Sequence, residues 1–189
     1  MADIYQHFEE LQQHQEEGKD FEVEIIDRKS GIIVVAIHGG NIEPGTTEIA
    51  KAIAGEEFSF YGFAGKSTIE ESQILHITST NFDEPRCASL ISHSSKVISV
   101  HGLASLENFI MLGGLDKELI RKLHVAFINA GFELRPALEY LNGNSSENIC
   151  NKGTSGKGIQ IELARGLRDM LVAEQKSLLL FVQVLRDAL

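Results

Sequence analysis

Two histidines each end an apolar run and each precede glycine. One run is Ile32-Ile33-Val34-Val35-Ala36-Ile37-His38-Gly39-Gly40, the other Val97-Ile98-Ser99-Val100-His101-Gly102. Imidazoles at the carboxyl ends of buried strands are well placed for chemistry, because open α/β sheets bind ligands beyond that end. Glu43 stands five residues after His38, across a Gly-Gly step that lets the backbone fold back. Two histidines and one carboxylate make the ligand shell of a catalytic zinc site, with a fourth position open. Either histidine alone reads as a loop residue. Their shared context, each at a strand end and each before glycine, favours a metal. The spacing is not that of the helical H-E-x-x-H motif.

Metal-assisted hydrolysis also needs a base. In Gly158-Ile159-Gln160-Ile161-Glu162-Leu163 the apolar residues alternate, which puts Gln160 and Glu162 on the opposite face. By spacing alone Glu162 is better read as an ordinary surface glutamate. At a strand end it also qualifies as the base. Arg165 and Arg168 follow; either type of side chain can grip a carboxylate in a fork. Arg168 reads as a helix-surface charge. Gly65-Lys66-Ser67 resembles the end of a P-loop, but Phe60 stands where the motif needs glycine. The Gly153–Gly158 stretch lacks the Lys-Ser/Thr ending and precedes a strand, so nucleotide hydrolysis is rejected. His76 and His93 read as structural or exposed, and His7, His14 and His124 receive no role.

The elements that must position these groups alternate. Asp3 is expected to cap a helical arm over residues 1–18, with Ile4, Phe8 and Leu11 on one face and Gly18 at its end. Strands are expected at 21–26, 32–37, 58–63, 74–77, 97–100, 108–112 and 158–163. Helices are expected at 46–54, from 84, at 116–130 and at the C-terminus. Residues 142–158 form a long polar loop suited to a substrate flap. The alternation predicts one α/β domain over residues 1–189, an open, mostly parallel mixed sheet flanked by helices.

Composition narrows the classes. The 189 residues carry 17 basic and 27 acidic side chains, a net charge of −10, which argues against nonspecific nucleic-acid binding. Residues 1–27 hold nine acids against Lys19 alone, read as a solvated face. Hydrophobic residues make up 43%, enough for a real core, and no run approaches a membrane span. Cys87 and Cys150 fall in no metal or disulfide pattern. No signal-peptide pattern follows Met1, so a cytoplasmic protein is expected.

The segment His38-Gly39-Gly40-Asn41-Ile42-Glu43-Pro44-Gly45-Thr46-Thr47-Glu48-Ile49-Ala50 closely resembles the HGG-x-I-EPGT-x-EIA segment of phage-type poly-γ-glutamate hydrolases. The resemblance continues through Leu75–Pro85, Val97–Gly102, Gly158–Glu162 and Arg165–Arg168, and covers essentially the whole chain. It implies a zinc-dependent, carboxypeptidase-like peptidase that cleaves the γ-amide backbone of a capsule polymer. It also implies zinc ligands at His38, Glu43 and His101 and a catalytic carboxylate at Glu162. Arg165, Asn151 and Lys152 are then candidates to grip the polymer's carboxylates. Asn81 stands where the family favours histidine and is a further candidate contact. A monomer is expected, reaching the capsule when the host cell lyses. Two rival readings are a zinc amidase acting on peptidoglycan stem peptides and a metal-stabilised binding protein without activity.

Overall fold

The structure, a computed structural model, describes residues 3–189. A short helix α1 (Phe8–Leu11) leads into strand β1 (Phe21–Ile26) and the long strand β2 (Ile32–Gly40). Next come α2 (Thr46–Ala54), β3 (Ser59–Gly65), α3 (Ile69–Ser72), α4 (Pro85–Ser92), β4 (Lys96–Leu103) and β5 (Ile110–Gly114). Helix α5 (Lys117–Asn129), strand β6 (Ile159–Ala164) and helices α6 (Arg165–Ala173) and α7 (Gln175–Asp187) complete the chain.

The six strands form one mixed sheet in the order β1-β3-β2-β4-β6-β5. The inner strands β3, β2, β4 and β6 run parallel, and β1 and β5 are antiparallel edges. From β2 the chain goes first to β3 on one side and then to β4 on the other. The gap beyond β2 and β4 is therefore the topological switch point, where such sheets bind ligands. This is the single-domain, mixed α/β sheet that the strand–helix alternation predicts.

Helices cover both faces. Val34, Ala36, Ile98, Val100, Ile159, Ile161 and Leu163 pack on one side with residues of α2, α5, α6 and α7. Ile33, Val35, Ile37, Tyr61, Phe63 and Val97 pack on the other with Phe8, Leu11, Cys87 and Ile91. A strand covered on both faces has no reason to alternate, which accounts for the unbroken apolar run of β2.

Three expectations fail. The arm over residues 1–18 is helical only in α1, and its first two residues lie outside the described ones. Asp3 caps nothing; its carboxylate bonds the distant His76 and Thr78 instead. Residues 74–77 make no strand: Gln73–Leu75 is a 3-10 turn that continues α3. The expected C-terminal helix, carrying Leu178, Leu179, Phe181, Val182 and Leu185, is α7; the separate α6 precedes it, with an extended Glu174 between the two. Among the described residues no helix is long and apolar enough to cross a membrane.

Candidate metal centre

His38 and His101 lie near the carboxyl ends of the adjacent strands β2 and β4. A bulge between Ala36 and Gly39 shifts the register of β2 against β3 and re-aims His38. Gly40, at φ +60°, then runs so close to β3 that a Cβ there would lie 2.4 Å from the Gly65 carbonyl. The loop closes when the Glu43 N–H donates to the His38 carbonyl at 2.9 Å. Glu43 is thereby brought back beneath its own histidine.

The donor atoms converge. His38 Nδ1 lies 3.2 Å from Glu43 Oε1 and 3.2 Å from His101 Nδ1, and His101 Nδ1 lies 3.8 Å from Glu43 Oε2. Ligands of a tetrahedral zinc, at bond lengths of about 2.0–2.2 Å, stand roughly 3.3 Å apart. The outer nitrogens are already engaged. His38 Nε2 donates to the Ile77 carbonyl at 2.9 Å, which fixes its proton there and leaves a lone pair on Nδ1. His101 Nε2 lies 2.7 Å from Ser99 Oγ. The Gly102 N–H donates to Glu43 Oε2 at 2.7 Å and orients the carboxylate. Three electron-pair donors thus face one point with too few protons among them, and a cation satisfies that arrangement.

The electrostatics agree. Burial pushes His101 down to about 3, so its ring stays neutral, as a metal ligand must. Burial also opposes charge on Glu43, but His38, His101 and His76 outweigh it and hold the carboxyl at about 2. Burial lowers His38 too, yet Glu43 and the Ile77 carbonyl raise it on balance. A proton on His38 is what the site takes up when no metal competes for it.

Glu162 sits on β6 directly opposite His101 on β4 and is 3% exposed. Ile159, Ile161 and Leu163 face the core, as the alternation predicts, and Gln160 and Glu162 share the other face with Ser99 and His101. Burial first, and then Glu43, push its carboxyl up to about 8. Gln160 Nε2 donates to Glu162 Oε1 at 2.8 Å, and Asn148 Nδ2 to Gln160 Oε1 at 2.8 Å. The polar loop thus reaches the site by steadying Gln160.

His76, expected to be structural or exposed, stacks on His38 with ring centroids 4.0 Å apart. One ligand atom each from His38, Glu43 and His76 lies within 4.8 Å of the others. Arg168 is no surface charge; it is 3% exposed. The Asn151 amide is saturated within the chain, accepting from Leu115 and Gly158 and donating to the Gly143 and Ser145 carbonyls. That leaves it to order the loop rather than to meet a ligand. Lys152 is exposed and pairs with Glu147. Asn81 donates to Gln6 at 3.4 Å. Of Arg165, Asn151, Lys152 and Asn81, only Arg165 borders the cavity of about 450 Å³ that opens beside Glu43, and Arg168 and His76 line it too. Ser99 carries no sequence expectation and Gln160 only a face, although each is a lone polar residue two positions before a site residue in an apolar strand.

A switch-point crevice holding two histidines, a carboxylate and a buried glutamate defines an open α/β protein with a site of hydrolase type. The chain belongs to the poly-gamma-glutamate hydrolase family, whose profile matches residues 5–178. It is 41% identical over 179 residues to the UPF0714 protein YndL of Bacillus subtilis (strain 168), covering 89% of this chain and 67% of that protein. The structure of the zinc-free apo form of YNDL superposes with a TM-score of 0.92 at 36% identity, covering 99% of this chain and 97% of that one. A bacteriophage poly-gamma-glutamate hydrolase superposes with a TM-score of 0.91 at 26% identity, covering 99% and 96%.

Proposed function

We propose that this protein hydrolyses the γ-glutamyl amide bonds of poly-γ-glutamate, with zinc held by His38, Glu43 and His101 and with Glu162 as the general base. The observation that carries the reading is the convergence of three lone-pair donors beside a buried glutamate on the neighbouring strand. Membership of the family supplies the substrate class. Zinc, when bound, supplies Lewis acidity to the scissile carbonyl and to water.

The protein's own groups do the rest. Glu162 takes one proton from water as the hydroxyl adds to the γ-carbonyl carbon. As the carbon–nitrogen bond breaks, Glu162 returns that proton to the leaving nitrogen, so acid, amine and proton balance. A carboxyl pushed up to about 8 holds a proton well but must first be ionised to take one. With zinc held by His38, Glu43 and His101, the charge of Glu43 would be offset and Glu162 would ionise more readily. Gln160 keeps the carboxyl aimed through both events. Arg165, at the rim of the cavity, meets carboxylates of the polymer.

Glu162→Gln tests the assignment. The variant keeps the Gln160 neighbour and the shape of the side chain, so it should fold and bind zinc as the parent does. Its turnover on poly-γ-glutamate should fall by about a thousandfold, in line with the loss of a general base. Undiminished hydrolysis contradicts the role of Glu162.

A further inference from the structure

We propose that Arg168 forms the floor of a carboxylate-binding subsite beside the metal centre, and that its ligand is a free α-carboxylate of a γ-linked glutamyl chain. The inference rests on the preceding reading and adds where the substrate's charge is held.

Arg168 Nε donates to the Pro44 carbonyl at 2.8 Å, and Nη1 donates to the carbonyls of Leu103, at 3.3 Å, and Leu163. Every partner is a neutral carbonyl. Among the described residues no carboxylate pairs with this guanidinium, which sets it apart from Arg86, Arg135, Arg165 and Arg186. Glu43, Asp169 and Glu162 act on it only through space, without a direct ion pair, and a buried arginine cannot escape the cost by losing its proton. Nη2 makes no hydrogen bond among the described residues. The group is therefore held rigidly on one side and unpaired on another, which is the state of an anion site before its anion arrives.

The neighbourhood is built around it. A Cβ on Gly102 would lie 2.2 Å from Nη1 and 2.8 Å from Nη2, so the guanidinium lies against the one residue type that leaves it room. The carbonyls that pin it belong to the chain just after Glu43, the end of β4 and the end of β6. Arg168 thus lies between the segments that carry Glu43, His101 and Glu162. It borders the same cavity of about 450 Å³ as Glu43 and His76, a size suited to a small ligand. Ile42, Ile69 and Leu103 line the walls and suit the methylenes of a glutamyl unit. Arg165 shares the cavity, but its Nε already lies 2.6 Å from the Asp169 carboxylate.

The test is binding to the zinc-loaded Glu162→Gln protein, measured by calorimetry with two probes. One is a γ-linked glutamate oligomer with free α-carboxylates; the other is the same oligomer with α-carboxamides. The carboxylate oligomer should bind roughly tenfold to a hundredfold more tightly. Adding Arg168→Gln should remove that preference by weakening the carboxylate oligomer alone. If Arg168→Gln does not fold, the comparison of the two oligomers decides. Equal affinity for both, no measurable binding of the carboxylate form, or a preference retained in a folded Arg168→Gln variant overturns the subsite. Failure of the unmutated protein to cleave poly-γ-glutamate is a separate result, which contradicts the proposed reaction and leaves the binding preference readable.

Discussion

Asp3 and His76, separated by 73 positions in the chain, meet at 2.7 Å between Oδ1 and Nδ1. The other oxygen of Asp3 accepts the Thr78 N–H, also at 2.7 Å. One carboxylate therefore clasps both neighbours of Ile77, and the Ile77 carbonyl fixes the tautomer of His38. The N-terminal segment, expected to present a solvated face, reaches the candidate metal centre through two steps of hydrogen bonding. Asp3→Ala should leave the fold intact and weaken zinc binding by about tenfold, the lower end of what supporting contacts of this kind contribute. Competition with a chromophoric chelator measures this. An unchanged zinc affinity shows that His38 is held without the clasp.

Gly102→Ala should be more damaging than its size suggests. The added methyl meets the Arg168 guanidinium at 2.2 Å, and the Gly102 N–H that orients Glu43 must move with it. Overpacking of this kind costs about 1–3 kcal/mol. Denaturant unfolding should show a loss in that range together with weakened zinc binding. Parent-like values for both would mean that Arg168 swings clear at no cost.

Glu162 should make the zinc-free protein less stable as pH rises. The folded carboxyl keeps its proton up to about 8, whereas the unfolded chain loses it near 4.5. Between those values the folded state binds more protons. The stabilisation is thus complete below the lower value and lost as pH rises through the upper one. A tenfold difference in proton affinity is worth about 1.4 kcal/mol. Urea midpoints of the zinc-free parent and of Glu162→Gln, compared near pH 5 and near pH 8, isolate this contribution. The parent should lose more stability across the interval; an equal loss in the variant places the proton elsewhere.

Much of this site was legible in the sequence because its parts lie on periodic elements. The apolar runs before His38 and His101 mark buried strands, and the alternation around Glu162 gives its face correctly. What sequence could not give is whatever depends on contacts between distant segments. His76 leaves an irregular turn, and only the fold stacks it on His38. Arg168 lies on an amphipathic helix, where charge ordinarily means solvent; its burial follows from carbonyls contributed by three separate segments. Asn151 looked available because a polar loop conceals which of its side chains hold the loop together. Ser99, and the partner that Gln160 must have, were legible signals too, since a lone polar residue in a buried strand needs a partner.

The proposed reaction depends on the metal. The most direct measurement strips the protein with a chelator, adds zinc back in steps and follows the chain length of poly-γ-glutamate. Hydrolysis should vanish in the stripped protein, rise in proportion to added zinc and level off at about one ion per chain, the stoichiometry of a single tetrahedral site. Full hydrolysis by metal-free protein, or binding of zinc with no cleavage at any ratio, contradicts it.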